Sequence, residues 1–262
     1  MTKKAHERKM NDAKALEAPG PFLLALEMRV LWEFAAAVVT FPWLRNGPKG
    51  DGHSVMVFPG LAAADLSTMP LRTFLAQRDY DTHGWRQRFN LGPREGVLET
   101  CLERVRKLRR RSGRKVSLVG WSLGGIYARE IAKIIPDDVR CVITLGTPFT
   151  GTPRATNAWR IYELASGQEL PDPELLERVS EVPPVPTTSI YSRSDGIVSW
   201  QCSVQKRGRL AENIEVTASH IGLGLHPVSW YAVADRLAQP EGQWRPFHRE
   251  GWRDLFFSDP DR

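Results

Sequence analysis

An α/β architecture, with a doubly wound and mostly parallel sheet covered by helices on both faces, is the expectation for this 262-residue chain. Three features point there. From Ser54 onward, short runs of consecutive apolar residues alternate with helical patterns, and strands buried on both faces belong to parallel sheets. Right-handed crossovers between such strands wind the chain onto both faces. The composition, 42% hydrophobic and 25% charged, suits one globular domain with a sizeable core.

The elements follow in order. Residues 1–20 read as a polar, basic tail carrying Lys3, Lys4, Arg8, Lys9 and Lys14. No short apolar core with a cleavage site follows, so the tail is not a signal peptide and the expected location is cytoplasmic. Residues 21–45 are strongly apolar and helical. Glu27, Arg29 and Glu33 interrupt them, and three central charges are expensive in hydrocarbon. Arg29 and Glu33, spaced i, i+4, can pair on a helix surface. Two readings stand: a helix packed on its own domain, or an interfacial helix giving peripheral membrane contact.

The main domain is expected over 46–239. Ser54–Phe58 is a strand ended by Pro59-Gly60. Asp65–Arg78 is a helix with Pro70 near a turn, and His83–Phe89 is a second strand. Val97, Cys101, Val105 and Leu108 form an apolar stripe, which makes 94–111 an amphipathic helix stopped by Ser112-Gly113. Val116–Trp121 is a strand, Leu123–Ile135 an apolar helix ended by Pro136, and Val139–Leu145 another strand. Residues 147–186 hold seven prolines and short helical stretches at 157–166 and 173–180. A connection that long reads as a lid-like insertion. Thr188–Ser192 and Ile214–Thr217 are the last strands and Pro227–Leu237 the closing helix. The tail 240–262 packs across the surface.

Charge and cysteines narrow the function. The net charge is +6, with eight basic residues between Arg104 and Lys115. No nucleic-acid-binding signature accompanies them, so they read as a solvated helix face ending in a cation-rich turn, and nucleic acid is not an expected partner. Three widely spaced cysteines supply neither a disulfide framework nor a zinc site. No metal, organic cofactor or partner protein is implied.

Gly120-Trp121-Ser122-Leu123-Gly124 is the strongest signal. It matches G-x-S-x-G and falls between a strand and a helix, where the motif belongs. The tight reversal lifts the Ser122 hydroxyl above the carboxyl end of the sheet. It also points the Leu123 N–H, at a helix N-terminus, toward developing negative charge. A serine needs a base, and the base an orienting acid. In the chain order Ser, acid, His, His220 follows the last strand and is favoured over His226, which starts the closing helix, and His248 in the tail. Asp195, after a strand and before Gly196, is the acid. Asp172 and Asp235 read as solvated. Leu61, after Pro59-Gly60, is the second backbone donor, and Trp121 and Phe149 are candidates for an apolar substrate pocket.

These residues resemble the α/β-hydrolase family, particularly its lipase and esterase branch. The resemblance runs through FPGL at 58–61, GWSLGG at 120–125, LGTPFTGT at 145–152, YSRSDGIV at 191–198 and SHIGL at 219–223. It implies an α/β-hydrolase fold, Ser122 as nucleophile, His220 as base, Asp195 as acid, and Leu61 and Leu123 as oxyanion donors. Lipases of this kind often carry His-Gly where this chain has Pro59-Gly60, which removes a side-chain anchor from that loop. The implied activity is cleavage of a carboxylic ester, small or lipid, through an acyl-enzyme. The same triad also serves acyltransferases and thioesterases, and a non-catalytic binding protein on this fold would carry a damaged triad.

Overall fold

The computed structural model describes residues 16–159, 162–163 and 173–261. Residues 1–15 of the tail, much of the expected helix 157–166, and Asp172 lie outside them.

The sheet has six strands: β1 (Ser54–Phe58), β2 (Asp81–Gly84), β3 (Val116–Trp121), β4 (Val139–Leu145), β5 (Thr187–Tyr191) and β6 (Ala211–Glu215). Their spatial order is β2-β1-β3-β4-β5-β6, and every pairing is parallel. The helices are α1 (Pro21–Ala25), α2 (Val30–Leu44), α3 (Asp65–Ala76), α4 (Val97–Ser112), α5 (Leu123–Ile134), α6 (Pro173–Ser180) and α7 (Pro227–Leu237), with a 3-10 turn at Leu26–Arg29 joining α1 to α2.

Strand alternation builds two cores. Val55, Val57 and Val119 join Ala37, Phe74 and Trp230, which come from α2, α3 and α7. Met56, Phe58 and Leu118 point the other way, onto Cys101 and Val105 of α4 and Ala128 and Ile131 of α5. This is the doubly wound arrangement.

Strand order reverses between β1 and β3. The chain leaves β1 toward β2 and leaves β3 toward β4, so the loops after these adjacent strands diverge. Open α/β sheets bind ligands in the crevice this opens at the carboxyl ends. The register sets Phe58 beside Gly120, which brings Pro59–Leu61 next to Ser122.

Four expectations change. Pro70 lies inside α3. The second strand spans Asp81–Gly84 rather than 83–89, because the Trp85 and Arg86 amides turn to the Asp65 carboxylate at 2.9 and 3.1 Å instead of a strand. The last strand begins at Ala211, since the buried polar groups of AENIE are satisfied. Glu212 accepts from Thr188 and Arg236, Asn213 exchanges bonds with Gln205, and Glu215 accepts from Tyr191 and Arg193. Asp235 is paired with Arg236 and Arg253 rather than solvated. The C-terminal tail covers the β6 edge, with Ser258 bridging Glu215 and Phe257 buried.

Candidate active site

Ser122 sits between β3 and α5 with φ 52° and ψ −126°. That is a costly conformation for a residue with a Cβ, and such strain concentrates at functional sites. Its N–H donates to the Leu145 carbonyl at 2.7 Å, which extends the β3–β4 ladder. It caps α5 without a side-chain bond, so its hydroxyl remains available. Gly124 allows the close helix approach: a Cβ there would lie 2.5 Å from the Phe58 carbonyl oxygen and 2.6 Å from that of Pro59.

The structure brings Ser122, His220 and Asp195 together. His220 Nε2 lies 2.9 Å from Ser122 Oγ, and Nδ1 lies 2.7 Å from Asp195 Oδ2. The other Asp195 oxygen accepts the Ile197 and Val198 amides at 2.9 and 2.7 Å. Gly146, at φ +55°, passes behind the pair, where a Cβ would lie 3.1 Å from His220 Nδ1. Burial alone would lower the His220 pKa. The Asp195 charge and hydrogen bond, joined by the Glu27 charge, outweigh it, so the net shift is upward. His226 is elsewhere; it caps α7 by accepting the Val228 amide.

Leu61 and Leu123 flank Ser122 on the wall of a cavity of about 270 Å³. Among the described residues, neither of their amides has an acceptor. Asn90, fully buried, donates from Nδ2 to the Pro59 carbonyl at 2.8 Å and exchanges backbone bonds with Ala62 and Ala63. It anchors the loop in which a histidine is often found. Phe149, Ile126, Leu98 and Leu176 also line the cavity. Trp121 does not. Alternation along β3 turns it toward the α7 face, where its indole donates to the His220 carbonyl at 3.1 Å. Behind Phe149, the buried Arg129 guanidinium lies 3.9 Å from the ring centroid. It donates to Gln205 Oε1 and to the Ser180 and Glu181 carbonyls.

Sequence reasoning missed Glu27 and Glu33. Both are buried and face the loops that carry Asp195 and His220. Glu27 accepts the Gly196 and His220 amides on Oε1, each at 2.8 Å, and the Ile221 amide on Oε2 at 3.1 Å. Glu33 accepts the Ser219 amide at 2.8 Å and a short bond from the Ser219 hydroxyl. Arg29 pairs with Glu33 at 3.0 Å, as its spacing suggested, and also donates to the Ser194 carbonyl and hydroxyl. The only sequence signal was the interruption of an apolar stretch by three charged residues, Glu27, Arg29 and Glu33. Among the described residues, no group of three or more His, Cys, Asp or Glu side chains is arranged to hold a metal.

Comparison with solved structures agrees with the topology. The chain aligns with Aspergillus fumigatus lipase B at a TM-score of 0.59 and 19% identity, over 78% of this chain and 56% of that one. It therefore spans little more than half of that lipase. It also aligns with a monoacylglycerol lipase of Paleococcus ferrophilus (TM-score 0.51, 16% identity, 73% and 96% covered). A pyrethroid hydrolase of Sphingobium faniae matches similarly (0.51, 19%, 72% and 98%). This chain has the α/β-hydrolase fold. A family model described as the PGAP1-like alpha/beta domain matches residues 91–170, the stretch that holds α4 through the start of the insertion and includes Ser122. No curated protein sequence matches significantly.

Proposed function

We propose that this protein is a serine hydrolase that cleaves carboxylic esters. The observation that carries the reading is the continuous Ser122–His220–Asp195 chain opening onto an apolar cavity. In this mechanism His220 Nε2 takes the Ser122 proton as Oγ attacks the acyl carbon. Asp195 holds the tautomer with Nδ1 protonated and stabilises the imidazolium that forms. The Leu61 and Leu123 amides stabilise the oxyanion. The alcohol leaves with the proton from His220, and water deacylates the enzyme by the same path. Phe149, Leu98 and Ile126 offer the acyl chain an apolar bed. The structures it aligns with, two lipases and a pyrethroid hydrolase, support this reaction class.

The test is labelling with a fluorophosphonate probe, with the adduct mapped by mass spectrometry, alongside nitrophenyl esters of increasing chain length. The expected adduct is on Ser122 and disappears in Ser122→Ala, and ester turnover falls on the order of a million-fold in that variant. Turnover that survives Ser122→Ala, or labelling at another serine alone, overturns the assignment. An acyltransferase using the same residues would release acylated alcohol when a second alcohol is supplied, at the expense of free acid.

A further inference from the structure

The segment 21–44 is built inside out. An amphipathic helix on a water-soluble domain turns its charges to solvent and its apolar stripe to the core. Here the three charged residues turn inward: Glu27 and Glu33 are buried, and Arg29 is tied to Glu33 and Ser194. Consequently no exposed residue from Pro21 to Leu44 carries a charge. The outer face is instead Phe22 (75% exposed), Met28 (72%), Leu31 (68%), Trp32 (79%), Val39 (66%) and Trp43 (68%). The inner face is narrow. Ala37 is buried in the core shared with α7, and Phe41 and Leu44 pack against its edge. A contiguous apolar strip of this length on a monomer marks an interaction surface.

We propose that this face docks on an anionic phospholipid surface. Along the sequence, cations precede and follow the strip. The fifteen residues before Leu16 carry Lys3, Lys4, Arg8, Lys9 and Lys14 against Glu7 and Asp12, and Glu17 is the one further acid before Pro21. Arg45, exposed, follows Leu44 directly. An uncharged helical face with tryptophans, bracketed by cations, suits the headgroup boundary, where indoles and basic residues both find partners. Among the described residues no helix is long and apolar enough to cross a membrane, so the segment lies on the surface. A second copy of the chain fits less well: pairing two identical strips, parallel or antiparallel, brings basic end against basic end.

The placement relative to the catalytic loops gives the docking a purpose. Leu16 packs against the cluster of Ala155, Val198 and Cys202, of which Val198 lines the cavity, and Asn157 donates to the Pro19 carbonyl at 2.9 Å. The strip therefore starts at the cavity wall and runs past the Asp195 and His220 loops. A bilayer against it would lie beside the triad. The docking itself stands whether or not the substrate is an ester.

The test is sedimentation of the full chain with sucrose-loaded vesicles. Expected is partition onto phosphatidylcholine–phosphatidylserine vesicles at least about tenfold better than onto phosphatidylcholine alone, weakening with salt. The combined change Leu31→Ser, Trp32→Ser, Val39→Ser should lower that partition at least about 100-fold. These side chains are exposed, so the thermal melt should not move. If the variant misfolds, quenching by brominated lipid is read instead: the wild type should lose tryptophan fluorescence on mixed vesicles and Trp32→Phe/Trp43→Phe should lose much less. Absent partition, partition unchanged in the variants, or equal binding to neutral vesicles overturns the proposal. So does a dimer in sedimentation equilibrium that the triple variant dissociates while vesicles never bind.

Discussion

Replacing Glu27 tests how the catalytic loops are held. Its carboxylate satisfies three amides, the buried ones of Gly196 and His220 and the half-buried one of Ile221. In Glu27→Ala all three lose their acceptor. An orphaned buried amide costs about 1–3 kcal/mol, and water entering the gap recovers part of that, so a loss of about 3 kcal/mol in stability is expected. Glu27→Gln keeps the shape and an acceptor oxygen but turns an NH₂ toward one of the donors, so about half that loss is expected. The two variants separate shape from charge in catalysis. Glu27 is one of the charges that raise the His220 pKa. The base acts when neutral, so ester turnover falls as pH drops through that raised pKa. Removing the Glu27 charge lowers it, and the acid limb should move to lower pH in both variants. In Glu27→Ala the displaced His220 loop should also cut kcat by about 10- to 100-fold with KM little changed. Urea melts and pH profiles of nitrophenyl ester hydrolysis measure these effects. An unchanged urea midpoint with an unmoved acid limb in Glu27→Ala would refute the reasoning.

Other expectations follow from single contacts. Gly124→Ala pushes a Cβ into the Phe58 and Pro59 carbonyls, so turnover should fall at least about 100-fold through displacement of the oxyanion amides, with a lower Tm by calorimetry. Arg129→Ala leaves Gln205 Oε1 and the Ser180 and Glu181 carbonyls without their donor and opens space behind Phe149; about 3 kcal/mol should be lost in a denaturant melt. Asn90→Ala frees the Pro59 carbonyl, and loosening of the Leu61 loop should lower kcat more than it raises KM in steady-state kinetics.

The sheet and the Ser122–His220–Asp195 cluster were legible because both are written in local pattern. GWSLG lies between a strand and a helix, and in a parallel sheet the loops after successive strands emerge at one end. Chain order then selected Asp195 and His220. What escaped depended on contacts between distant segments. The β6 run AENIE looks polar, and partners on other segments, among them Thr188, Tyr191, Arg193, Gln205 and Arg236, make it a buried strand. Trp121 was drawn to the pocket by adjacency to Ser122, yet alternation sends it to the opposite face. Asn90 acts on a loop some thirty residues earlier in the chain. The direction of Glu27 is set by amides more than 160 residues downstream, and an apolar stretch with three charges looks the same whether those charges face in or out.

That inward turn bears on how the protein can be handled. The greasy N-terminal stretch invites deletion by anyone seeking a better-behaved sample. Cutting before Gly50 would discard the counterparts of four buried or half-buried amides and of the Ser219 hydroxyl. It would also strip Arg78 of the three carbonyls, those of Arg45, Gly47 and Pro48, that receive its buried guanidinium. Such a truncated sample should come out cleaner on a gel and inert in the assay. The remedy for stickiness is to polish Trp32, Val39 and Trp43 where they stand, and to leave the chain its full length.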